Sequence, residues 1–443
     1  MPPLNLASLR PGDVLRQAIY TPHGAKVLPR GVTLTTDLIT SLRLSHSRLL
    51  LGFPTNRRNP DRTDALPEID LGLQDGDDAQ TAVFSTVAWR RYLKRADAVV
   101  AERAVRWRMI PLRTSDAIEP YIDDHADPAH DHSRHLAVSI EGARRRPEWT
   151  SLHAETLESI AEGRRIDLAH ETLPIVDDMM RHLHAAPARF PALALKHVRD
   201  ADYLPSHALA NAIFAAAIAA RLGHDESHIR LVVLAALFCD VGMAALSPQL
   251  LASDRPLDEV SLNRVRRHPA LSVAMLAATT NIDERVLLII HQHHEREDGS
   301  GYPRALRASS IHDLAKVLAV ADVCAAATAY RPYRIVQHKP AHGLAEAVRL
   351  ANAGTLDRAT TLALLEAVGL YPVGSYVRLS DATNAIVLAA NPSCVDRPLV
   401  QRLASDGAPE GEPIDLTQQH DEGLSVVAPI DEPAPPSRLH HAA

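Results

Sequence analysis

Histidines and aspartates stand where apolar helices ought to pack. His207 opens the run "HALANAIFAAAIAARLG", and Asp240 closes "IRLVVLAALFCD". His268 lies just before a proline, His293 and His294 follow "VLLIIHQ", and Asp322 interrupts "KVLAVADVCAAATAY". Burying a carboxylate or an imidazole without a partner is costly. One such residue is ordinarily a satisfied core group, but a set spread over several apolar segments is satisfied at once by a metal centre. The donors are imidazole and carboxylate, with no Cys-x-x-Cys pair, which suits Fe, Mn or Zn. Carboxylates can bridge two divalent ions about 3.5–4 Å apart, and such a pair clamps a phosphate and supplies a nucleophile for in-line attack. The residue types therefore point to metal-assisted phosphoester hydrolysis.

The elements that must position these groups are mainly helical. From about 151 to 368 apolar residues recur at helical spacing. The spacing predicts helices over 207–223, 229–240, 258–278, 283–295, 312–328, 340–353 and 356–367. The second is apolar nearly all round and so belongs at the centre. Residues 1–52 carry Pro-Gly, His-Gly and Arg-Gly punctuation between short apolar runs, the mark of a small β-rich module with a short helix after Thr36. Residues 53–150 read as a polar linker, to about 80, and a helical connector near 82–106. Within it "YIDDHADPAHDHSRH" holds His125, His130, His132 and His135, and reads as an exposed loop. Residues 369–403 alternate as a β-hairpin, and 404–443, rich in Pro, Asp, Glu and Gly, suggest a partly disordered tail.

Composition narrows the class of function. A net charge of −7 gives no global basic field, which argues against DNA as a partner. Cys239, Cys324 and Cys394 cannot form a disulfide framework and suit a reducing compartment. The start lacks a basic segment followed by an apolar one, and the apolar runs at 208–222 and 229–239 fall short of the roughly 18 residues of a membrane span. A cytoplasmic protein is expected.

The stretch "HHEREDGSGYP" (293–303), followed by "LAKVLAVADVCAAATAYRPYR", resembles the HD-GYP domain, a branch of the HD phosphohydrolase superfamily. The likeness runs from about 200 to 350 and keeps the family's motif order; "LRPGDVLRQAIYTPHGAKVLPRGVTLT" before it and "GLYPVGSYVRLSDATNAIVLAANPSCVDRPLV" after it also look like pieces that accompany such domains. It implies a mainly α fold, an HD-domain helical bundle between the β-rich module and the hairpin. It also implies cyclic di-GMP as substrate, hydrolysed with bound divalent metal, and docking of diguanylate cyclase (GGDEF) domains through the GYP loop. By position, His207 matches the first histidine ligand and Asp240 the catalytic, bridging aspartate. His268, His293 and His294 match ligands of a second metal, and Asp322 the late aspartate. Gly301, Tyr302 and Pro303 are the GYP loop, and Arg331 and Arg334 match phosphate contacts, a role that suits a guanidinium.

Three departures bear on turnover. The family's His-Asp pair is Cys239-Asp240, the lysine of its HDxGK motif is Met243, and the glutamate of its three-metal members is Tyr203. Cys239 is then either a soft replacement ligand that favours zinc or a small apolar residue. One metal or two are compatible with what remains. The preferred expectation is a cyclic di-GMP signalling protein, catalytically impaired, that binds the nucleotide or a cyclase partner. Its alternatives are an active phosphodiesterase ligated through Cys239 and a metal phosphohydrolase of another nucleotide. The oligomeric state is open, a homodimer included.

Overall fold

The apolar runs form helices that bury one another, and the polar punctuation between them sets where each stops. The computed structural model describes residues 9–14, 19–20, 26–28, 33–36, 39, 50–51, 86–113, 132–195, 203–246, 258–278, 282–328, 340–418 and 423–430. The expected linker at 53–80, His125, His130, most of the short helix after Thr36, Arg331, Arg334 and residues 431–443 lie outside them.

Near the N-terminus β1 (Ile19–Tyr20), β2 (Lys26–Leu28) and β3 (Leu50–Leu51) pair antiparallel in the order β2-β1-β3. Helix α1 (Thr86–Trp107) follows, then α2 (His132–Ala161), which reaches back into the stretch expected as an exposed loop. Next come α3 (Leu168–Ala185), α4 (Tyr203–Arg221), α5 (Glu226–Phe238), α6 (Glu259–Val265), α7 (His268–Leu276), α8 (Glu284–Gln292), α9 (Asp313–Thr328), α10 (Pro340–Asn352) and α11 (Arg358–Val368). Asp225, Asp258, Asp283 and Asp357 each cap the helix that follows by accepting a backbone N–H.

Helices α4 and α5 lie at the centre. Leu209, Ile213, Phe214 and Ile218 of one, and Ile229, Val232, Val233 and Phe238 of the other, are essentially inaccessible. A helix apolar on every side has to be enclosed on every side. By length and composition the segments 203–221 and 226–245 could cross a membrane, contrary to the expectation that the apolar runs are too short. Yet 83% and 72% of their windows are buried within the fold, the position of core helices.

The helix expected over 258–278 is two helices, broken at Arg266–Arg267. Pro269 has no N–H to give the carbonyl four residues back, that of Val265, so the ladder stops there. The freed carbonyl accepts instead from Nδ1 of His268 at 2.8 Å.

Beyond the helices the hairpin expectation falls short. Strands β4 (Tyr376–Leu379), β5 (Asn384–Ala389), β6 (Leu399–Leu403), β7 (Pro409–Asp415) and β8 (Val426–Ile430) form one antiparallel sheet in the order β7-β6-β5-β4-β8. Val377, Leu379, Val387, Val400 and Leu416 make its core. Part of the segment expected as disordered is thus strand. The composition of β7, "PEGEPID", hid it: proline and charge are tolerated on an edge strand, and β7 is an edge, largely exposed.

Candidate metal centre

Four helices bring their ends, and a fifth its middle, to one point. His207 comes from the N-terminal part of α4, Asp240 from the turn after α5, and His268 from the start of α7. His293 and His294 follow the last turn of α8, and Asp322 lies within α9. Their donor atoms fall into two groups, each within 4.8 Å: His207, Asp240 and Asp322 in the first, and Asp240, His268, His293 and His294 in the second. Asp240 belongs to both. Its Oδ2 lies 3.4 Å from Nε2 of His207 and its Oδ1 3.3 Å from Nε2 of His268.

The hydrogen bonds around the second group determine what its nitrogens can do. Nδ1 of His268 meets the Val265 carbonyl at 2.8 Å, and Nδ1 of His293 meets the Ile290 carbonyl at 2.6 Å. A carbonyl only accepts, so each Nδ1 carries the hydrogen. Burial lowers both rings to a pKa of about 4, so they are neutral and each Nε2 holds a lone pair. Those two lone pairs face each other at 3.4 Å, beside the Asp240 carboxylate. Three acceptors converge with no proton between them. A divalent cation fits this arrangement, and the carbonyl bonds are the outer support that ligating imidazoles ordinarily have. His294 is neutral for the same reason, burial first and then the neighbouring His293 and His268.

In the first group Nε2 of His207 lies 3.0 Å from Oδ1 of Asp322. Burial alone would raise the Asp322 carboxyl. The His207 hydrogen bond, with help from the Arg296 guanidinium, outweighs it and holds the carboxyl below the ordinary range. Asp322 Oδ2 reaches to within 3.9 Å of Nδ1 of His294, which joins the two groups on the side away from Asp240.

Backbone packing fixes the turn that carries Asp240. Gly242 lies flat on the start of α7: a Cβ there would come within 2.4 Å of the His268 carbonyl and 2.6 Å of the Ser272 nitrogen. Ser272 ties the turn down, donating its hydroxyl to the Cys239 carbonyl at 2.6 Å and accepting from Gly242 N–H at 2.9 Å. The GYP loop is held the same way. A Cβ on Gly301 would meet the His294 carbonyl at 2.4 Å. Glu295 accepts from the backbone N–H groups of Arg304 and Leu306 at 2.7 and 2.8 Å. The peptide Tyr302–Pro303 is cis. The Tyr302 ring then stacks on His294, centroids 4.7 Å apart.

Of the residues singled out in the sequence, His207, Asp240, His268, His293, His294 and Asp322 meet, with Tyr302 against them. Cys239 stands outside both groups. Its thiol donates to the Ala236 carbonyl at 3.5 Å and takes a hydrogen bond from Asn211 Nδ2 at 3.6 Å. Burial, then the charges of Asp240 and Asp322, push it well above an ordinary thiol, so it is protonated. Ser272 and Asn211, unmarked in the sequence, sit inside apolar helices like the ligands themselves, a signal that could have drawn notice.

Residues 175–357 match the HD-domain family. A cyclic di-GMP phosphodiesterase of Pseudomonas aeruginosa is 33% identical over 231 residues, which take in 51% of this chain and 53% of that protein. The cyclic di-GMP phosphodiesterase response regulator RpfG of Xanthomonas campestris is 37% identical over 118 residues, 26% of this chain and 31% of that one. The matched stretches thus span about half, or less, of these relatives. Among solved structures, an HDG"Y"P protein from Bdellovibrio bacteriovorus aligns over 82% of this chain and 97% of its own, with a TM-score of 0.39 and 17% identity.

Proposed function

Residues 175–357 belong to the HD-domain family, in its HD-GYP branch, and from that premise we propose that the chain binds cyclic di-GMP at a divalent-metal centre and hydrolyses it slowly. The observation that carries this is the shared Asp240, one carboxylate oxygen toward His207 and the other toward His268. Divalent ions bound there, Fe, Mn or Zn, would polarise a phosphodiester and make water a stronger nucleophile. The protein's own part is to hold the ligands. Asp240 spans the two groups, and the carbonyls of Val265 and Ile290 fix the tautomers of His268 and His293. Tyr302 shields His294 from one side.

The impairment rests on the first group. With the Cys239 thiol hydrogen-bonded to Ala236 and Asn211, this group has the donors of His207, Asp240 and Asp322, against four residues in the second. Met243, where the family has lysine, carries no charge. Losing one preorganised stabilising group costs roughly 10²–10³ in rate elsewhere. Nucleotide binding is less exposed to these losses than turnover is. A diguanylate cyclase domain docking at Gly301–Tyr302–Pro303 belongs to the same reading and is checked by co-purification with and without Tyr302→Ala.

Calorimetric titration of cyclic di-GMP into metal-loaded protein, with product chromatography on the same sample, tests the reading. Saturable binding with turnover at least a hundredfold below a related enzyme measured alongside is the expected outcome. Absence of binding, with or without turnover of another nucleotide, contradicts it. Turnover equal to that enzyme's leaves the active alternative.

A further inference from the structure

Met243 stands where the resemblance calls for a lysine, which leaves the centre short of a cation. The structure brings a different cation there. Arg266 is the last residue before the break between α6 and α7, two positions ahead of His268. The break that Pro269 enforces turns it away from the helix ladder and toward the GYP loop. Its guanidinium carbon lies 5.9 Å from the centroid of the Tyr302 ring. That ring stacks on His294, and His294 lies edge-on to His268 at 4.8 Å. A continuous stack therefore runs from an exposed cation to the second ligand group.

The guanidinium is available. Arg266 is exposed, and among the described residues its side chain makes one long hydrogen bond, 3.4 Å, to the Asn263 amide oxygen. No carboxylate among the described residues lies within ion-pair distance of it. Neighbouring arginines are occupied differently. Arg267 faces Asp97 at 3.3 Å, and Arg296 donates to the carbonyls of His293 and Glu295 at 3.1 and 2.9 Å. A guanidinium lying over an aromatic face keeps its N–H edges free, and those edges match a phosphate bidentately. Beyond the ring, the ligand groups present two carboxylates, so an oxyanion arriving there unaided by metal would be repelled.

We propose that Arg266, presented on Tyr302, is the residue that grips the phosphodiester of the ligand at the second-group side of the centre, supplying the charge that Met243 does not. This rests on the cyclic di-GMP reading above. It makes the GYP tyrosine a platform for a cation as well as a cover for His294. It also assigns residue 266 a role in binding rather than in metal retention, since no ligand atom depends on it.

Arg266→Ala, Arg266→Lys and the double variant Arg266→Ala with Met243→Lys test it in full-length metal-loaded protein. Cyclic di-GMP affinity is measured at two salt concentrations, with metal content on the same samples. A hydrogen-bonded charge contact predicts a roughly ten- to hundredfold loss of affinity in Arg266→Ala. Arg266→Lys should lose less, the salt dependence should flatten, and the double variant should regain part of the loss, all with metal content unchanged. Wild-type affinity in Arg266→Ala would overturn the assignment, as would a loss accompanied by loss of metal. If the wild-type protein binds no cyclic di-GMP, the functional reading itself fails and this assignment falls with it, an outcome distinct from either of those.

Discussion

His207 and Asp322 are far apart in the chain and 3.0 Å apart in the fold, Nε2 to Oδ1. The contact joins the N-terminal part of α4 to the middle of α9. Asp240 then ties this pair to His268, so the two ligand groups share one donor residue and draw their remaining donors from different side chains.

That separation predicts distinct losses. His207→Ala should remove metal from the first group and leave the second, and His268→Ala the reverse. Asp240→Ala should remove both. Metal analysis of the purified variants measures this directly, and equal losses in all of them would show that the groups do not act as two sites.

The Cys239 thiol is held by Asn211 and Ala236. Cys239→Ala should therefore leave metal content unchanged, at a stability cost of about 1 kcal/mol for the lost packing. Metal analysis and denaturant unfolding on one preparation check both halves. A fall in metal content would make the sulfur a ligand after all.

Stability should fall in mild acid. Burial lowers His153, which packs on Phe238 and lies outside the ligand groups, from 6.5 to about 4. Its folded form is neutral, while the unfolded chain takes up a proton below about pH 6.5. The unfolded state then binds more protons, so stability is full above that pH and is lost as pH falls from about 6.5 toward 4. The contribution is on the order of 3 kcal/mol. In metal-free protein, His153→Leu should flatten the dependence of unfolding free energy on pH between 6.5 and 4.5. An unchanged slope would contradict the assignment.

Gly301 passes directly over the backbone of His294 and Arg296. Gly301→Ala cannot be absorbed by a side-chain shift, so the loop has to lift and Tyr302 with it. Weaker metal retention in the second group and earlier proteolysis within 296–306 are expected, both measurable against wild type. A variant indistinguishable from wild type in both would show that the loop does not steady His294.

The sequence showed the centre because its residues break a rule. An imidazole or carboxylate inside an apolar run is conspicuous, and His207, Asp240, His268 and Asp322 each interrupt one. The helices around them were legible from apolar spacing. What escaped notice depends on the third dimension. Whether the Cys239 sulfur faces the metals or the helix behind it is a matter of rotation about α5, which no spacing records. The role of Pro269 in freeing the Val265 carbonyl for His268 needs the break between α6 and α7 to be seen. Strand β7 was lost to its composition, since an edge strand carries the charge and proline that also mark disorder.

A divalent-metal centre built around Asp240 is what the proposed chemistry depends on. Anomalous diffraction from crystals grown with manganese measures it most directly. Two peaks are expected, one among His207, Asp240 and Asp322 and one among Asp240, His268, His293 and His294, with the second the stronger. At saturating metal, no peak within coordination distance of Asp240 would contradict the account.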